Sequence, residues 1–534
     1  MAPSPAPEKL GLGPTLRALP AAFYTANLME VFERMAWYGF FAVSSNYLTG
    51  PVAEGGLGLT AEQRGVIQAI VPFLLYLFPV FTGALADRFG YFRTFFVAYS
   101  VLLPGYWLLG QPRGFWGFFF VFLVVAVGAA LFKPLVVGTV ARTTGPATES
   151  LGFGIFYLIV NIGGFLGPVI SGLLRNEFGW PAVFKASALW IALNFAVLFL
   201  FYREPKAGHE HDRPSSAGEK LRGAVDDMVK VIGNGRLFVT ALVGLVLLML
   251  AGGDWISWRL WALLTAAWVG ANLLLDAVLR RRGPAAGARD AGRGVLAPMR
   301  IGDGAFVVYL LLVAGFWAVY EQLFITLPEY IRDFTNTDDI LRGLRGGAEA
   351  LGMSGAAGRM DALLAEGFQV NPEWIVNVDS FAIILLQIPF SAALSRVAPF
   401  RAIVAGTLIT AVAMATSAGA TTGWLACLTV LIFSFGEMTA SPKTFEYVST
   451  VAPKDKSALY MGYYFVSTAL GNLFAGLLSG QAYGKLARDL QRPDLMWLLF
   501  ALIAVVTAGA LWVYDRRVIR PRAAQAAAGA GQPG

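Results

Sequence analysis

One cysteine stands in 534 residues, Cys427, and it lies inside an apolar stretch. That leaves no intramolecular disulfide and no thiolate zinc site. Two histidines, His209 and His211, fall in a polar segment and read as solvated linker rather than as metal ligands. Since neither lies in an apolar stretch, a proton moving through this chain must use carboxylates. Charge is scarce too, at 14% of residues against about a quarter in ordinary soluble domains. No nucleotide-binding P-loop is present, which speaks against direct ATP drive by this chain alone. There is no nucleophile–base constellation and no metal-ligand cluster, so an enzyme is not expected. The Pro-rich stretch Met1 to Pro20 lacks the apolar core and cleavage site of a signal peptide.

What is present is apolar length. The chain is 57% hydrophobic, enough for a dozen spans at about 20 residues each. Apolar runs between charged or Gly/Pro punctuation predict spans near 22–49, 62–86, 92–110, 115–142, 150–175 and 180–203. Two more lie near 236–252 and 256–280. Six follow near 303–332, 374–396, 400–420, 423–450, 456–484 and 493–515. This reads as an all-α polytopic membrane protein with 14 transmembrane helices. The division is an N-terminal six-helix bundle over 1–203, then linkers and an extra helix pair over 204–302. A C-terminal six-helix bundle over 303–516 and a disordered tail over 517–534 follow. The net charge of +7 sits in short loops, where it sets topology rather than binding nucleic acid. Lys9, Arg17, Arg88, Arg93, Arg142, Arg203, Lys206, Arg213, Lys220, Arg222, Arg516, Arg517 and Arg520 share one side if both termini are cytoplasmic. Arg113, Arg175, Lys485, Arg488 and Arg492 fall on the other. The insertion 333–372 is then an extracytoplasmic cap with one or two short helices.

The two halves echo each other. Lys133-Pro134 aligns with Ser441-Pro442, and the same offset aligns Phe156-Tyr157 with Tyr464-Phe465, Gly163 with Gly471 and Ser171-Gly172 with Ser479-Gly480. A shorter offset aligns Phe32-Glu33-Arg34 with Tyr320-Glu321-Gln322. The difference fits a longer loop after the first span of the second half.

Charges inside the spans need a reason. Glu30, Glu33 and Arg34 share one helical face with Trp37, Tyr38 and Phe41. One such side chain at the bilayer centre costs about 2.5–3.5 kcal/mol or more. Lys133 and Asn161 add to the first half, and Glu321, Glu437 and Ser441 to the second. Polar clamps between helices could explain one of these residues. The whole set points instead to a polar cavity and to movement of something across the membrane. Low dielectric penalises a carboxylate's charge, so such a group can carry a proton. A nearby Arg or Lys can bind an anionic group. Tyr24, Tyr38, Tyr76 and Tyr157 could line such a cavity. Lys443 and Glu446 are spaced for an intrahelical pair. The central hairpin, with only Asp254, Arg259 and Asp276 in its core, reads as accessory.

Gly83, Asp87, Arg88 and Gly90, after the second span, resemble the signature loop of the major facilitator superfamily. More specifically, the chain resembles the proton-dependent oligopeptide transporter family. Glu30, Glu33, Arg34, Tyr38 and Gly39 match that family's first-helix motif. Phe132-Lys133-Pro134, Phe156-Tyr157 with Asn161, Phe316-Trp317 with Glu321-Gln322, and Gly436-Glu437 with Ser441-Pro442 recur in order along the whole chain. The resemblance implies a major facilitator fold, two six-helix bundles plus an extra helical pair. It also implies proton-driven symport of di- and tripeptides by alternating access. No cofactor is implied, since the proton gradient supplies the energy. The implied partners are a short peptide, protons and the lipid bilayer, with the chain a monomer. The implied location is the plasma membrane, a bacterial inner membrane. By the same resemblance Arg34 and Lys133 meet the peptide carboxylate, and Glu437 and Ser441 meet its amino terminus. Tyr38, Tyr76 and Asn161 contact its backbone, and Glu30, Glu33 and Glu321 couple protons.

The departures are local. Phe41 stands where most peptide-transporting members keep an arginine, Trp37 replaces the motif's first tyrosine, and Tyr464 replaces an eleventh-helix tryptophan. The eighth-helix asparagine corresponds to Asn371, Asn377 or Ser380. Losing an arginine at Phe41 implies altered peptide preference or a different small substrate. The alternatives are thus a proton-coupled transporter of a non-peptide small molecule, or a ligand-binding membrane sensor without net transport.

Overall fold

Helices stand on all fourteen expected spans, and the reason is chemical. Within lipid, backbone N–H and C=O groups must be satisfied inside the chain, and a helix does so within one segment. The computed structural model describes residues 12–79, 82, 89–145, 148–205, 235–282, 304–394, 397–451 and 457–521. Residues 83–88 of the signature loop, 206–234 and 283–303 of the central linkers, and the tail from 522 lie outside the described residues. So do His209 and His211.

The helices are α1 (Ala21–Thr49), α2 (Ala61–Leu77), α3 (Tyr91–Leu109), α4 (Phe115–Thr143), α5 (Glu149–Phe178) and α6 (Trp180–Leu200). The extra hairpin is α7 (Gly235–Gly252) and α8 (Trp258–Arg282). The second group is α9 (Gly304–Tyr320), α10 (Val378–Leu394), α11 (Pro399–Ser417), α12 (Gly423–Val451), α13 (Ser457–Ala482) and α14 (Pro493–Tyr514). Among the described residues, ten helices are long and apolar enough to cross a membrane. α1 falls outside that set because Glu30, Glu33 and Arg34 lower its hydropathy. At 29 residues it is still about 44 Å long, more than a hydrocarbon core of ~30 Å. A short helix, Leu12–Ala18, precedes it where only polar chain was expected. Among the described residues, the one β pairing is an isolated bridge between Asn336 and Thr422.

The chain forms two compact units, Met1–Leu57 with Leu74–Met228, and Gly58–Phe73 with Val229–Gly534. In the first unit α1 packs on α5 and α6, and α3 on α4 and α6. The α1–α5 approach depends on glycine. A Cβ at Gly167 would lie 2.8 Å from the Gly39 nitrogen and 2.8 Å from the Met35 oxygen. Small residues let transmembrane backbones touch in this way. In the second unit α9 packs on α13 and α14, and α11 on α12 and α14. These are the same pairings at equivalent positions, as the sequence echo predicts.

Prolines inside the helices leave carbonyls to satisfy. Pro134 has no N–H, so the Ala130 carbonyl loses its helical partner. The Thr82 hydroxyl donates to that oxygen at 2.5 Å. Pro328 lies in a divided span. The expected seventh span, 303–332, is α9 followed by two short helices, Gln322–Ile325 and Leu327–Phe334. Pro328 has no N–H for the Phe324 carbonyl and stands in the first turn of the second short helix, while Glu321 stands between α9 and the first. The eighth span is likewise divided, into Pro372–Val376 and α10, with Asn377 between them.

The insertion carries two helices, Asp338–Ala350 and Ser354–Ala365. Asp339 ties it to the start of α12 by accepting bonds from the Gly423 and Trp424 amides, both at 2.9 Å. In the extra hairpin Arg236 is buried against Asp276 at 2.7 Å, which gives that polar pair a structural partner.

Candidate functional site

The first unit builds its polar cluster on α1. Positions 30, 33 and 34 fall on one face, so Arg34 reaches both carboxylates. Its Nε lies 3.2 Å from Glu30 Oε1, and its guanidinium also pairs with Glu33. All three side chains are buried. Glu33 Oε1 meets no hydrogen-bond partner, so its charge is compensated from one side only. Arg34 also lies 5.7 Å from the Tyr38 ring centroid. From α4, Lys133 places its ammonium 4.1 Å from the Tyr76 ring centroid, and its charge acts on Glu30. Gly163 on α5 makes room for Arg34, since a Cβ there would lie 2.6 Å from Arg34 Cβ. Glu30, Glu33, Arg34, Tyr38, Tyr76 and Lys133 therefore form one connected group. Asn161 turns to its own helix, where its Nδ2 donates to the Tyr157 carbonyl at 2.9 Å. Phe41 is buried and stacks on Trp37 at 5.2 Å. This position therefore carries a packed aromatic ring and no fixed positive charge.

The second unit builds its cluster on α9, α10 and α12. Glu321 and Glu437 are both buried. Tyr320 donates its hydroxyl to Glu437 Oε1 at 2.9 Å, and the Glu321 charge acts on Glu437. Ser441 lies one turn beyond Glu437 on α12. Its carbonyl accepts from Thr444 at 2.7 Å, and the Thr444 hydroxyl bonds Tyr464 at 2.8 Å. Tyr464, the residue at the tryptophan position, is fully buried in that contact. Lys443 and Glu446 form the expected intrahelical pair at 2.8 Å.

The eighth-helix candidates lie along one short stretch, with Ser380 in the first turn of α10 beside Asp379. Asn371 precedes the short helix and Asn377 occupies its break, yet the side chain that reaches Glu437 is Asp379. Asp379 was not among the candidates because it stands in the first turn of the helix, where a carboxylate is ordinary.

A second set was also missed. Arg64 on α2 is fully buried and pairs with Glu329 at 2.9 Å. It also donates to Gln68 Oε1, the Ile325 carbonyl and Ser479 Oγ. Arg488 reaches the other Glu329 oxygen at 2.7 Å. Tyr483 donates to Asp333 at 2.8 Å and Arg332 pairs with Asp333 at 2.6 Å. Burial alone would push the Asp333 carboxyl up. The bond and charge of Arg332, with Tyr483 and Arg488, outweigh it and hold the group below the usual carboxylate value. Arg64 lies only two residues inside its expected span, where a charge is ordinary, so the fold and not the sequence marks it as buried. Among the described residues there is no group of His, Cys, Asp and Glu fit to hold a metal ion.

The Major Facilitator Superfamily pattern matches residues 31–250. The Peptide transporter YePEPT of Yersinia enterocolitica subsp. palearctica is 25% identical over 525 residues, spanning 91% of this chain and 92% of that protein. The Dipeptide and tripeptide permease A of Erwinia pyrifoliae is 24% identical over 473 residues, covering 86% of this chain and 85% of that protein. A crystal structure of a peptide transporter POT in complex with sulfate is similar in fold, with a TM-score of 0.67 at 22% identity over 94% of this chain and 95% of that one.

Proposed function

We propose that this chain, similar over nine-tenths of its length to a peptide transporter, is a member of the proton-dependent oligopeptide transporter family of the major facilitator superfamily and imports di- and tripeptides across the plasma membrane as a proton-coupled symporter. It is a transporter and not an enzyme. The observation that carries the reading is Arg34 held by two buried carboxylates, Glu30 and Glu33, with Lys133 acting on the same group. A proton on either carboxyl removes one of the charges that hold Arg34. That frees guanidinium donors for the carboxylate end of a substrate. Lys133 is the second cation for that end. Tyr38, Tyr76 and Asn161 supply backbone contacts. In the other unit Glu437 and Ser441 receive the amino terminus, and Glu321 takes part in proton coupling. The chain works as a monomer with both termini cytoplasmic, alternating access to the two sides, and the proton gradient is its only energy source.

Liposomes containing the purified protein test this. An inward proton gradient drives dipeptide uptake with acidification of the lumen. Uptake without proton entry overturns symport, and binding without uptake favours a sensor. A second reading rests on Phe41. An aromatic pair at Trp37 and Phe41, in place of a fixed positive charge, suits a small substrate other than a free-carboxylate peptide. Uptake of such a compound, with no peptide in the panel taken up, favours it.

A further inference from the structure

Asp379 and Glu437 stand on neighbouring helices, α10 and α12, and their carboxyl groups lie within hydrogen-bond reach of each other. Both are buried, with relative exposures of 3% and 7%. Two ionised carboxylates have no hydrogen to share, and like charges this close cannot both ionise in a low dielectric. Two further observations bear on the pair. Glu437 Oε2 is buried and meets no hydrogen-bond partner, while Oε1 accepts from Tyr320. Ser434 Oγ lies 2.7 Å from Asp379 Oδ1 and 2.9 Å from the Val430 carbonyl oxygen. A hydroxyl has one hydrogen, and a carbonyl can only accept. When Ser434 donates to Val430, the hydrogen on its Asp379 side must come from Asp379. Among the described residues, Tyr320 and Glu321 from the α9 side and Ser434 from α12 act on the pair, and none of these three is a cation.

We propose that Asp379 and Glu437 form a carboxyl pair that holds one shared proton when empty and releases it to an incoming amino group. The second half of that statement rests on the reading of Glu437 as the amino-terminus site. The charges balance. The empty pair carries one negative charge. With an ammonium group bound and the shared proton gone, two carboxylates and one ammonium again sum to one negative charge. The proton leaves to water. An ammonium thus replaces a proton without adding net charge to a buried site, which avoids the cost of desolvating an unpaired ion. Asp379 is in this account what gives the site its demand for a cationic amine.

The shared proton is read without substrate. Infrared difference spectra of the reconstituted full-length protein are compared with those of Asp379→Asn and Glu437→Gln. Both substitutions remove the same protonated-carboxyl band if the proton is shared. Either substitution leaving the band intact overturns the pair. If Asp379→Asn fails to fold, Ser434→Ala must shift that band, and no shift overturns the proposal. The exchange is then read by calorimetry in buffers of different ionisation enthalpy. Dialanine binding releases about one proton per bound ligand in the native protein. The release is lost in Asp379→Asn, and N-acetyl-dialanine releases none. Full release by Asp379→Asn overturns the exchange. No binding of dialanine at all counts against the peptide reading, while the infrared result still decides the pair.

Discussion

Arg34 serves two carboxylates at once, and Glu321 stands in the second unit at the position matched to Glu33 without a matching arginine. Gln322 occupies that place and spends its amide on structure. Its Nε2 donates to the Ala318 and Ala475 carbonyls at 2.8 and 3.2 Å, and its Oε1 accepts from Thr326 at 2.6 Å. Glu321 stands at the junction between α9 and the short helix Gln322–Ile325, buried, with its charge acting on Glu437. Neutralising it permanently removes a proton carrier while leaving the hydrogen-bonding shape nearly intact. For Glu321→Gln, gradient-driven uptake therefore falls about tenfold or more, the factor set by some 1.4 kcal/mol. Counterflow, which needs no net proton movement, is partly kept. The two assays on one liposome preparation check this, and normal gradient-driven uptake removes Glu321 from the coupling role.

At the scale of helices, the α1–α5 contact leaves little room for change. The Gly39–Gly167 approach brings backbone against backbone, and the nearest atoms to a new side chain at Gly167 are main-chain atoms that cannot rotate away. A large side chain there separates α1 from α5 and moves Arg34 away from its surroundings. Gly167→Leu lowers the thermal midpoint in detergent and abolishes uptake. Gly154→Leu, at an exposed position on the same helix with nothing within 4 Å of an added Cβ, changes neither. A thermal-shift assay on both variants separates packing from composition. The spans were legible because apolar length is a strong signal in a membrane. The breaks were not. Pro328 lies beyond the apolar centre of its span, and its effect reaches back along the helix through a missing N–H that no hydropathy sum records. Arg64, Glu329 and Asp379 were overlooked for a related reason. They sit near predicted span ends, where charge is expected, and only the fold shows them buried. Glu30, Glu33 and Arg34 stood near the middle of a span and announced themselves.

For the molecule as a whole, orientation rests on lysine and arginine placement alone. The positive-inside rule puts the central linkers inside and the insertion outside. This assigns the Arg64–Glu329–Arg488 cluster a side, since Glu329 lies on the short helix that leads into the insertion. The scarcity of cysteine makes the point directly measurable. With Cys427→Ala as background, a single new thiol reports its own side of the membrane. Ser354→Cys, exposed at the start of the insertion's second helix, reacts with a membrane-impermeant maleimide in intact cells. Lys206→Cys, in the first linker, reacts only after permeabilisation. The reverse pattern inverts the topology. It would place the insertion and its ion-pair cluster in the cytoplasm, so that an inward proton gradient would act on the protein from the opposite face.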